Sequence, residues 1–287
     1  MSEEERLPEN DDDKLAPGEA TPEPAREVSN DAEIERTIRR MSRRGFLMGA
    51  AGAAAGLGGY YWLNSRTPVD GISGPLRTAL GADDKLAELY FRPRRLAQTF
   101  SEAQVQPLRL NGDVGLGPDF NPKHWMLHVM GSALPGAVVV SLDAIKRLPR
   151  HEMIAEMKCI EGWSNIVHYA GARLSDFVAA YPPATRSGAA LDIEGNPGDL
   201  PRYMSITTPD LQYFVGLDMA SALHPQTLLC YEMNGAPLAP EHGAPLRLAI
   251  PVKYGIKNIK RIGNIVYTDS KPADYWAMQG YDWYAGH

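Results

Sequence analysis

An uncharged, small-residue segment behind a pair of arginines divides this chain into two parts that must behave differently. Residues 42–48 read SRRGFLM, and 11 of the 19 residues from 45 to 63 are glycine or alanine. Paired arginines ahead of a weakly apolar stretch match the twin-arginine export signal. The alternative is a basic helix end before a core helix, for which this composition is too weakly apolar. Residues 65–287 are therefore expected to form the folded body.

The segment ahead of the signal has the composition of a disordered arm. Residues 1–38 hold 13 acidic and four basic residues, a net charge of −9, which leaves +3 for the rest of the chain. We predict a disordered acidic region over residues 1–41, because it cannot bury enough apolar surface to offset its ordering entropy. Residues 42–64 are predicted to be a twin-arginine signal or a membrane anchor.

The fate of that signal stays open at this stage. A 19-residue helix spans about 28 Å, close to the thickness of a bilayer core. No Ala-x-Ala cleavage site follows the apolar run. The protein is therefore expected to be periplasmic, or anchored to the outer face of the cytoplasmic membrane. Since the twin-arginine translocase carries folded proteins, a cofactor inserted in the cytoplasm is expected.

The composition of the body excludes several classes of protein. A net charge of +3 over about 220 residues does not make the basic footprint of a nucleic-acid-binding protein. Two cysteines do not make a disulfide scaffold, and seven scattered histidines show no paired zinc spacing. Charged residues make up 22% of the chain and apolar residues 44%, which is ordinary for a globular protein.

The pattern of the body predicts an α+β fold with mixed β-sheets and short helices. Ser141 and Ser175 are predicted to cap short helices. Residues 66–84 are predicted to be a polar lead-in, and residues 83–97 a helix interrupted at Pro93. Strand-like runs bounded by glycine, proline or asparagine occupy residues 124–129, 138–140, 153–160, 202–207, 227–233, 246–252 and 264–268.

The two cysteines stand in different settings. Cys230 lies in an apolar strand-like run and is predicted to be a small buried hydrophobe. Cys159 lies where a strand ends in a glycine-containing turn, which presents a side chain to a pocket. A disulfide between them and an inert Cys159 are the alternatives. One free thiolate does not hold zinc alone, but it completes a soft metal whose other ligands come from a cofactor.

The sequence resembles the sulfite oxidase family of molybdopterin enzymes. The resemblance is carried by residues 229–238 (LCYEMNGAPL), 242–247 (HGAPLR) and 254–260 (YGIKNIK), and by residues 159–164 (CIEGWS), which resemble the bacterial molybdenum-cysteine motif. It covers roughly residues 105–270. Within the bacterial branch the chain is most similar to periplasmic protein-methionine-sulfoxide reductase catalytic subunits.

The resemblance implies a cofactor and the residues that hold it. It implies one Mo-molybdopterin per chain, with Cys159 as metal ligand and catalytic residue. It also implies a phosphate site, for which Arg247 and Lys260 have the right chemistry. The cofactor-binding residues that it implies are Arg109, Asn111, Thr208, His242, Arg247, Asn258, Ile259 and Lys260. Taken singly, these residues have structural alternatives. Arg247 also suits a surface ion pair, His242 a loop residue that caps a turn, and Lys257 and Lys260 a solvated basic face.

The resemblance further implies oxygen-atom transfer at a single molybdenum. In sulfite oxidases basic residues closely follow the cysteine, whereas Gly162, Trp163 and Ser164 stand here. This departure favours neutral oxides, such as methionine sulfoxide, over sulfite. A sulfite dehydrogenase that reduces a cytochrome, and a non-catalytic membrane-anchored binding protein on the same scaffold, are the alternatives.

The partners expected from the sequence follow from what it lacks. No Cys-x-x-Cys-His haem motif and no fused cytochrome b5 domain is recognised. Electrons are therefore expected from a separate membrane haem protein or cytochrome. The immunoglobulin-like dimerisation domain of sulfite oxidases is also not recognised, so a monomer is expected.

Overall fold

The computed structural model describes residues 31–65, 73–91 and 95–287. The chain divides into two units, Met1–Tyr61 and Trp62–His287. Most of the predicted disordered arm, residues 1–30, lies outside the described residues. Helix α1 (Asp31–Asn64) begins within the predicted acidic arm and runs through the predicted signal. Across the described part of the chain, no helix combines the length and apolarity needed to cross a membrane.

Helix α2 (Gly74–Tyr90) lies in the second unit and corrects the predicted polar lead-in. Pro75 stands in its first turn, where a missing N–H costs nothing. Helices α3 (Leu142–Lys146), α4 (Leu174–Ala180) and α5 (Met219–Ala222) are short. Ser141 caps α3 as predicted, accepting a hydrogen bond from the Ala144 N–H. The cap predicted at Ser175 is wrong, because Arg173 already ends the preceding strand and occupies the N-cap position.

The first sheet mixes parallel and antiparallel strands. Its order is β2-β1-β10-β5-β6, and β1 runs parallel to β10 while the other pairs are antiparallel. The strands are β1 (Leu127–Met130), β2 (Val138–Val140), β5 (Tyr203–Thr207), β6 (Phe214–Asp218) and β10 (Asn264–Thr268).

The second sheet is antiparallel and carries the cysteines. Its order is β3-β4-β7-β8, with β9 also paired to β7. Its strands are β3 (Arg150–Lys158), β4 (Ser164–Arg173), β7 (Leu228–Met233), β8 (Ala236–Pro237) and β9 (Arg247–Ala249). These mixed sheets with short helices confirm the predicted fold class. Cys230 is fully buried within a second core cluster, and both cysteines are free, so the disulfide alternative is wrong.

Three strands were not predicted: β4, β6 and the two-residue β8. In β4, the Asn165 side chain donates to Gln106 Oε1 and to the Pro107 carbonyl. His168 in the same strand lies 3.2 Å from Glu102 and 3.4 Å from Glu152. In β6, Gly216 lacks the β-branched signature of a strand. The apolar pattern alone therefore did not predict β4 or β6 as strands.

A pair of carboxyl groups fixes α2 to the C-terminal segment. Asp84 and Asp282 share a hydrogen bond, and the Lys271 ammonium donates to Asp84 at 2.6 Å. Burial, and then the hydrogen bond to Asp84 and its charge, raises the pKa of Asp282 to about 6. Burial opposes ionisation of Asp84, but hydrogen bonds from Asp282, Lys271 and the Tyr284 N–H lower its pKa.

We expect this pair to make stability fall as the pH rises. The folded-state pKa of Asp282 lies above the unfolded value near 3.8, so the folded state binds more protons between pH 4 and 6. The shared proton is lost above about pH 6, and the two carboxylates then repel. Relative to Asp282→Asn, the wild-type melting temperature should fall between about pH 4 and pH 6 and then level off. If the melting temperatures of the two proteins changed by the same amount over this pH range, the assignment of the shared proton would be wrong.

Candidate active site

Cys159 is held in a tight connection between two long strands. Strands β3 and β4 pair as far as Lys158 and Ser164, which leaves residues 159–163 to reverse the chain. The Cys159 N–H donates to the Trp163 carbonyl at 2.8 Å, and the Gly162 N–H donates to the Cys159 carbonyl at 3.1 Å. Gly162 has a φ of 86°, which glycine adopts without strain. The thiol is half-buried at the end of the sheet.

Three side chains define the surroundings of that thiol. The Trp163 indole N–H donates to Glu161 Oε2 at 2.8 Å, and the Arg109 guanidinium lies 4.1 Å from the centre of the Trp163 ring. The pKa of Cys159 is raised, mainly by burial and also by the Glu161 carboxylate. A hydrogen bond from the Glu161 N–H and the charge of Arg109 oppose this by lowering the pKa. The free thiol is therefore protonated at neutral pH, and a metal ligand there must release a proton on binding.

A loop from the far end of the chain packs behind Cys159. A Cβ on Gly255 would lie 2.8 Å from Met157 Sδ and 3.8 Å from Cys159 Cα, so a larger residue there would require the Met157 side chain to move. The Tyr213 hydroxyl donates to the Ile256 carbonyl at 2.6 Å. Tyr213 was not predicted as a site residue, since only the tertiary structure brings it to this loop. It helps to fix the backbone against which Cys159 lies.

A second group of side chains forms a buried cluster of positive charge. Arg247 is 4% exposed, and its guanidinium donates to the His242 carbonyl at 3.3 Å and to the Asn258 carbonyl at 3.2 Å. Its Nε has no hydrogen-bond partner. Among the described residues no carboxylate forms an ion pair with Arg247. A buried guanidinium without a counter-ion is costly, which indicates an anion at this place.

His242 and Lys260 complete this cationic cluster. The Lys260 ammonium donates to the carbonyls of Asn111 at 2.6 Å, Gly112 at 2.9 Å and Glu241 at 3.0 Å. Burial and the charge of Arg247 lower the pKa of Lys260 to about 8. Burial, and then the charges of Arg247 and Lys260, lowers the pKa of His242. The charges of these basic groups therefore act on one another. The three N–H groups of Lys260 already donate to carbonyls, whereas the Arg247 Nε is a donor without a partner, and a guanidinium suits a phosphate.

The segment that contains Arg109 and Asn111 links the two parts of the site. Its Arg109 stacks on Trp163, while its Asn111 carbonyl accepts from Lys260. The Arg109 N–H donates to Asn165 Oδ1 at 3.3 Å, which ties this segment to β4. Arg109 was assigned to the cofactor by resemblance, but the structure brings its side chain beside the cysteine turn.

The remaining predicted residues serve the backbone around the cluster. Asn258 Oδ1 accepts from the Ile250 N–H at 2.8 Å, and Asn258 Nδ2 donates to the Tyr254 carbonyl at 3.3 Å. Ile259 is 1% exposed and belongs to the main core. The fully buried Thr208 donates its hydroxyl to Asp210 at 2.6 Å, within its own turn. These contacts hold the loops of the site in shape.

The structure also buries two further basic residues, of which Arg261 was not among the predicted site residues. Arg261 is 5% exposed, lies 4.2 Å from the Phe120 ring centre and donates to the Gly117 carbonyl at 3.1 Å. Lys257 is fully buried and donates to Asp274 at 2.5 Å and to the Gly216 carbonyl at 2.8 Å. The reading of Lys257 as part of a solvated basic face is therefore wrong.

Breaking the Lys257–Asp274 pair should unfold the protein more readily than any surface change. Asp274→Asn leaves a buried ammonium without its counter-ion, which costs about 3–5 kcal/mol. Urea denaturation of the variant should show that loss in the free energy of unfolding. The double variant Lys257→Met with Asp274→Asn leaves no buried ammonium and keeps the side-chain oxygen that accepts from the Trp276 and Ala277 N–H groups, so it should recover part of that loss. If Asp274→Asn were as stable as the wild type, the Lys257–Asp274 pair would not contribute to stability in the way expected.

The comparisons with known proteins agree with this geometry. Residues 114–276 match the model of the oxidoreductase molybdopterin binding domain. The chain belongs to this family. The predictions of a sulfite-oxidase-type fold and of a molybdenum-dependent oxidoreductase are confirmed at the level of the family.

Several named proteins are similar to this chain. It is 31% identical over 199 residues to a protein of Azospira oryzae, provisionally named protein-methionine-sulfoxide reductase subunit YedZ1, covering 68% of this chain and 70% of that one. It is 36% identical over 157 residues to the protein-methionine-sulfoxide reductase catalytic subunit MsrP of Xanthomonas campestris, covering 53% of this chain. The chain spans 47% of that catalytic subunit.

One solved structure is related more distantly. The sulfane dehydrogenase SoxCD from Paracoccus pantotrophus aligns with a TM-score of 0.43 and 19% identity. The alignment covers 53% of this chain and 40% of that one.

Proposed function

We propose that this chain binds one molybdopterin, with Cys159 as the protein ligand of the metal. The pterin phosphate then lies at the cluster of Arg247, His242 and Lys260, because the Arg247 Nε lacks a partner and no described carboxylate neutralises Arg247. Lys260 contributes charge there, since its three N–H groups already donate to carbonyls. When bound, the group supplies two-electron oxygen-atom transfer. The chain supplies a soft thiolate, a buried anion site and the surface from which the substrate approaches.

The proposed substrate is a neutral S-oxide, with methionine sulfoxide on an exported protein as the natural example. One observation carries this proposal: the half-buried Cys159 lies at a turn that also holds Trp163, whose carbonyl accepts from the Cys159 N–H. An aromatic ring makes favourable contacts with the sulfur of a methionine side chain. The names of the relatives support the same substrate class.

Sulfite is the second candidate, and a specific contact favours it. The sequence places no basic residue directly after Cys159, yet Arg109 stacks on Trp163 and its charge acts on the thiol. Arg109 is exposed, and among the described residues no carboxylate forms an ion pair with it. A guanidinium of this kind binds small oxyanions well. The lack of a basic residue directly after Cys159 therefore does not exclude sulfite as a substrate.

Steady-state kinetics of the holoenzyme separate the two candidates. With reduced methyl viologen as donor, we expect saturable reduction of a methionine-sulfoxide peptide. With ferricyanide as acceptor, we expect little oxidation of sulfite. Arg109→Met should change kcat/KM for the peptide less than about 10-fold, one charge-assisted hydrogen bond at most. Fast sulfite oxidation that is lost in Arg109→Met would replace the proposed function by sulfite dehydrogenation.

The setting proposed for this activity is outside the cytoplasm. The residues 42–48 fit export by the twin-arginine translocase. The enzyme then acts as a monomer in the periplasm, or at the outer face of the membrane, and receives electrons from a separate redox partner such as a membrane haem protein or cytochrome. A pulse-chase export assay with Arg43→Lys and Arg44→Lys tests the route, since the paired lysines should leave the chain in the cytoplasm.

A further inference from the structure

Three aromatic side chains connect the surroundings of Cys159 to the protein surface. Tyr213, Trp276 and Tyr281 are in contact in that order, and we call them the aromatic chain. The Trp276 indole N–H donates to the Tyr213 hydroxyl oxygen, and the ring centres of Trp276 and Tyr281 lie 5.1 Å apart, edge to face. Tyr275 packs beside the chain, with its ring centre 5.0 Å from that of Tyr213 and 5.5 Å from that of Trp276.

The inner end of the aromatic chain lies at the loop behind Cys159. The Tyr213 hydroxyl donates to the Ile256 carbonyl at 2.6 Å. A Cβ on the preceding residue, Gly255, would lie 3.8 Å from Cys159 Cα, so this loop contacts the cysteine turn. Burial raises the pKa of Tyr213, and the charges of Asp274 and Cys159 raise it further. Since the interaction of two charges falls with distance, Tyr213 lies near the proposed metal ligand.

The outer end of the aromatic chain is open to solvent. Tyr281 is 41% exposed, and Met278 in the same turn is 46% exposed. The Tyr281 N–H donates to the Trp276 carbonyl at 3.1 Å, which closes the turn, and Trp276 is half-buried beneath it. Tyrosine and methionine are enriched at protein–protein interfaces, so this turn has the composition of a contact surface.

The backbone that carries the aromatic chain is held by buried contacts. The Asp274 carboxylate accepts from the N–H groups of Trp276 at 3.2 Å and Ala277 at 3.1 Å. The Tyr275 N–H donates to the Phe214 carbonyl at 3.0 Å, on β6 at the edge of the first sheet. The rings are therefore kept at a fixed spacing. An electron crosses a protein more readily through rings in fixed contact, because the transfer rate falls steeply with each gap.

We propose that the turn around Tyr281 and Met278 is the docking surface of the haem protein that supplies electrons, and that the aromatic chain is their route towards Cys159. The inference rests on the proposed function and locates its redox partner. The rings themselves are neither oxidised nor reduced, since they only shorten the gaps. Two ferrous haems lose one electron each and become ferric. The S-oxide takes up these two electrons and two protons from solvent, its S–O bond breaks, and one water is released.

Electron injection from defined surface positions tests the route without a partner. Met278→Cys and Met130→Cys each add one surface thiol for a ruthenium photosensitiser, because Cys230 is fully buried and Cys159 is the proposed metal ligand. Met130 is 48% exposed on β1, which β10 and β5 separate from β6. After flash excitation with ascorbate as electron donor, the holoenzyme should be reduced faster from position 278 than from position 130. The growth of its electron paramagnetic resonance signal measures both rates.

Substitutions within the aromatic chain decide whether the rings carry this advantage. Tyr281→Leu, a change at an exposed residue, should remove most of the difference between the two labelled positions. Tyr281→Phe keeps the ring and should preserve it. Equal rates from both positions, or an undiminished difference in Tyr281→Leu, would overturn the proposed route.

Binding of a haem protein tests the docking surface. Soluble ferric cytochrome b5, titrated into the holoenzyme by isothermal calorimetry, should bind with saturable heat. Met278→Glu should weaken binding about 10-fold, the cost of losing a central interface residue. Met130→Glu is the matched control and should bind like the wild type. Absence of saturable binding, or wild-type affinity in Met278→Glu, overturns the proposal. It is also overturned if Met278→Glu changes the oligomeric state, because the turn would then be an interface between copies of this chain.

Turnover separates the docking surface from the proposed function. The ratio of the rate driven by ferrous cytochrome b5 to the rate driven by reduced methyl viologen should fall about 10-fold in Met278→Glu. Viologen-driven sulfoxide reduction with an unchanged ratio would overturn the docking surface and leave the proposed function standing. Saturable cytochrome binding without sulfoxide reduction from either donor would instead overturn the proposed function.

Discussion

Replacing Cys159 by serine should abolish sulfoxide reduction by the holoenzyme. Loss of a residue that merely supports a metal ligand costs 10–100-fold in affinity or activity, so loss of the ligand itself should cost more than about 100-fold. The cause is the change of donor atom, because an alcohol is a harder and more weakly acidic ligand than a thiol. Molybdenum per chain, and the electron paramagnetic resonance spectrum of the partly reduced protein, report the coordination directly.

Cys230→Ala is the control for this experiment. Cys230 is fully buried on β7, and its Sγ donates to the Glu232 carbonyl at 3.1 Å. Its loss should lower stability slightly and leave molybdenum content and spectrum unchanged. A Cys159→Ser protein with wild-type metal content and an unaltered spectrum would remove Cys159 from its proposed role.

Replacing Arg247 by methionine should release the cofactor from the protein. Hydrogen bonds from a charged donor contribute about 1.5–3 kcal/mol, so losing this guanidinium should weaken cofactor retention by about 10- to 100-fold. Methionine keeps the apolar stem in the core and removes the charge that has no described counter-ion. Molybdenum per chain after extensive dialysis measures retention.

Arg202→Met is a matched control, because Arg202 is an exposed arginine at the start of β5. It should retain the metal like the wild type. If Arg247→Met kept its molybdenum through dialysis, the cationic cluster would not be the phosphate site.

Local sequence patterns predicted much of the fold correctly. The strand at residues 264–268 was predicted with the bounds observed for β10, and Ser141 was predicted as the cap of α3. Both depend on neighbouring residues alone. Strand β4 was missed because its polar positions are satisfied by residues about 60 positions away, such as Gln106 with Asn165. No local pattern contains that information.

Some features of the candidate site could likewise be predicted from the sequence, and others could not. The turn at Cys159 was recognisable because a strand, a cysteine and Gly162 stand next to one another. The resemblance pointed to Arg247, His242 and Lys260, which the structure brings together. It did not indicate that the Lys260 ammonium donates hydrogen bonds to the carbonyls of Asn111, Gly112 and Glu241.

By itself, the sequence determined the family, the fold class and the thiol at the end of β3, because these depend on residues close together in the chain. Only the tertiary structure decided what surrounds that thiol. Arg109 reaches the Trp163 ring from a segment some 50 residues earlier, and Lys257 is neutralised by Asp274 from another loop. Electrostatic effects act through space, so the charge beside Cys159 is fixed by packing and not by its neighbours in sequence.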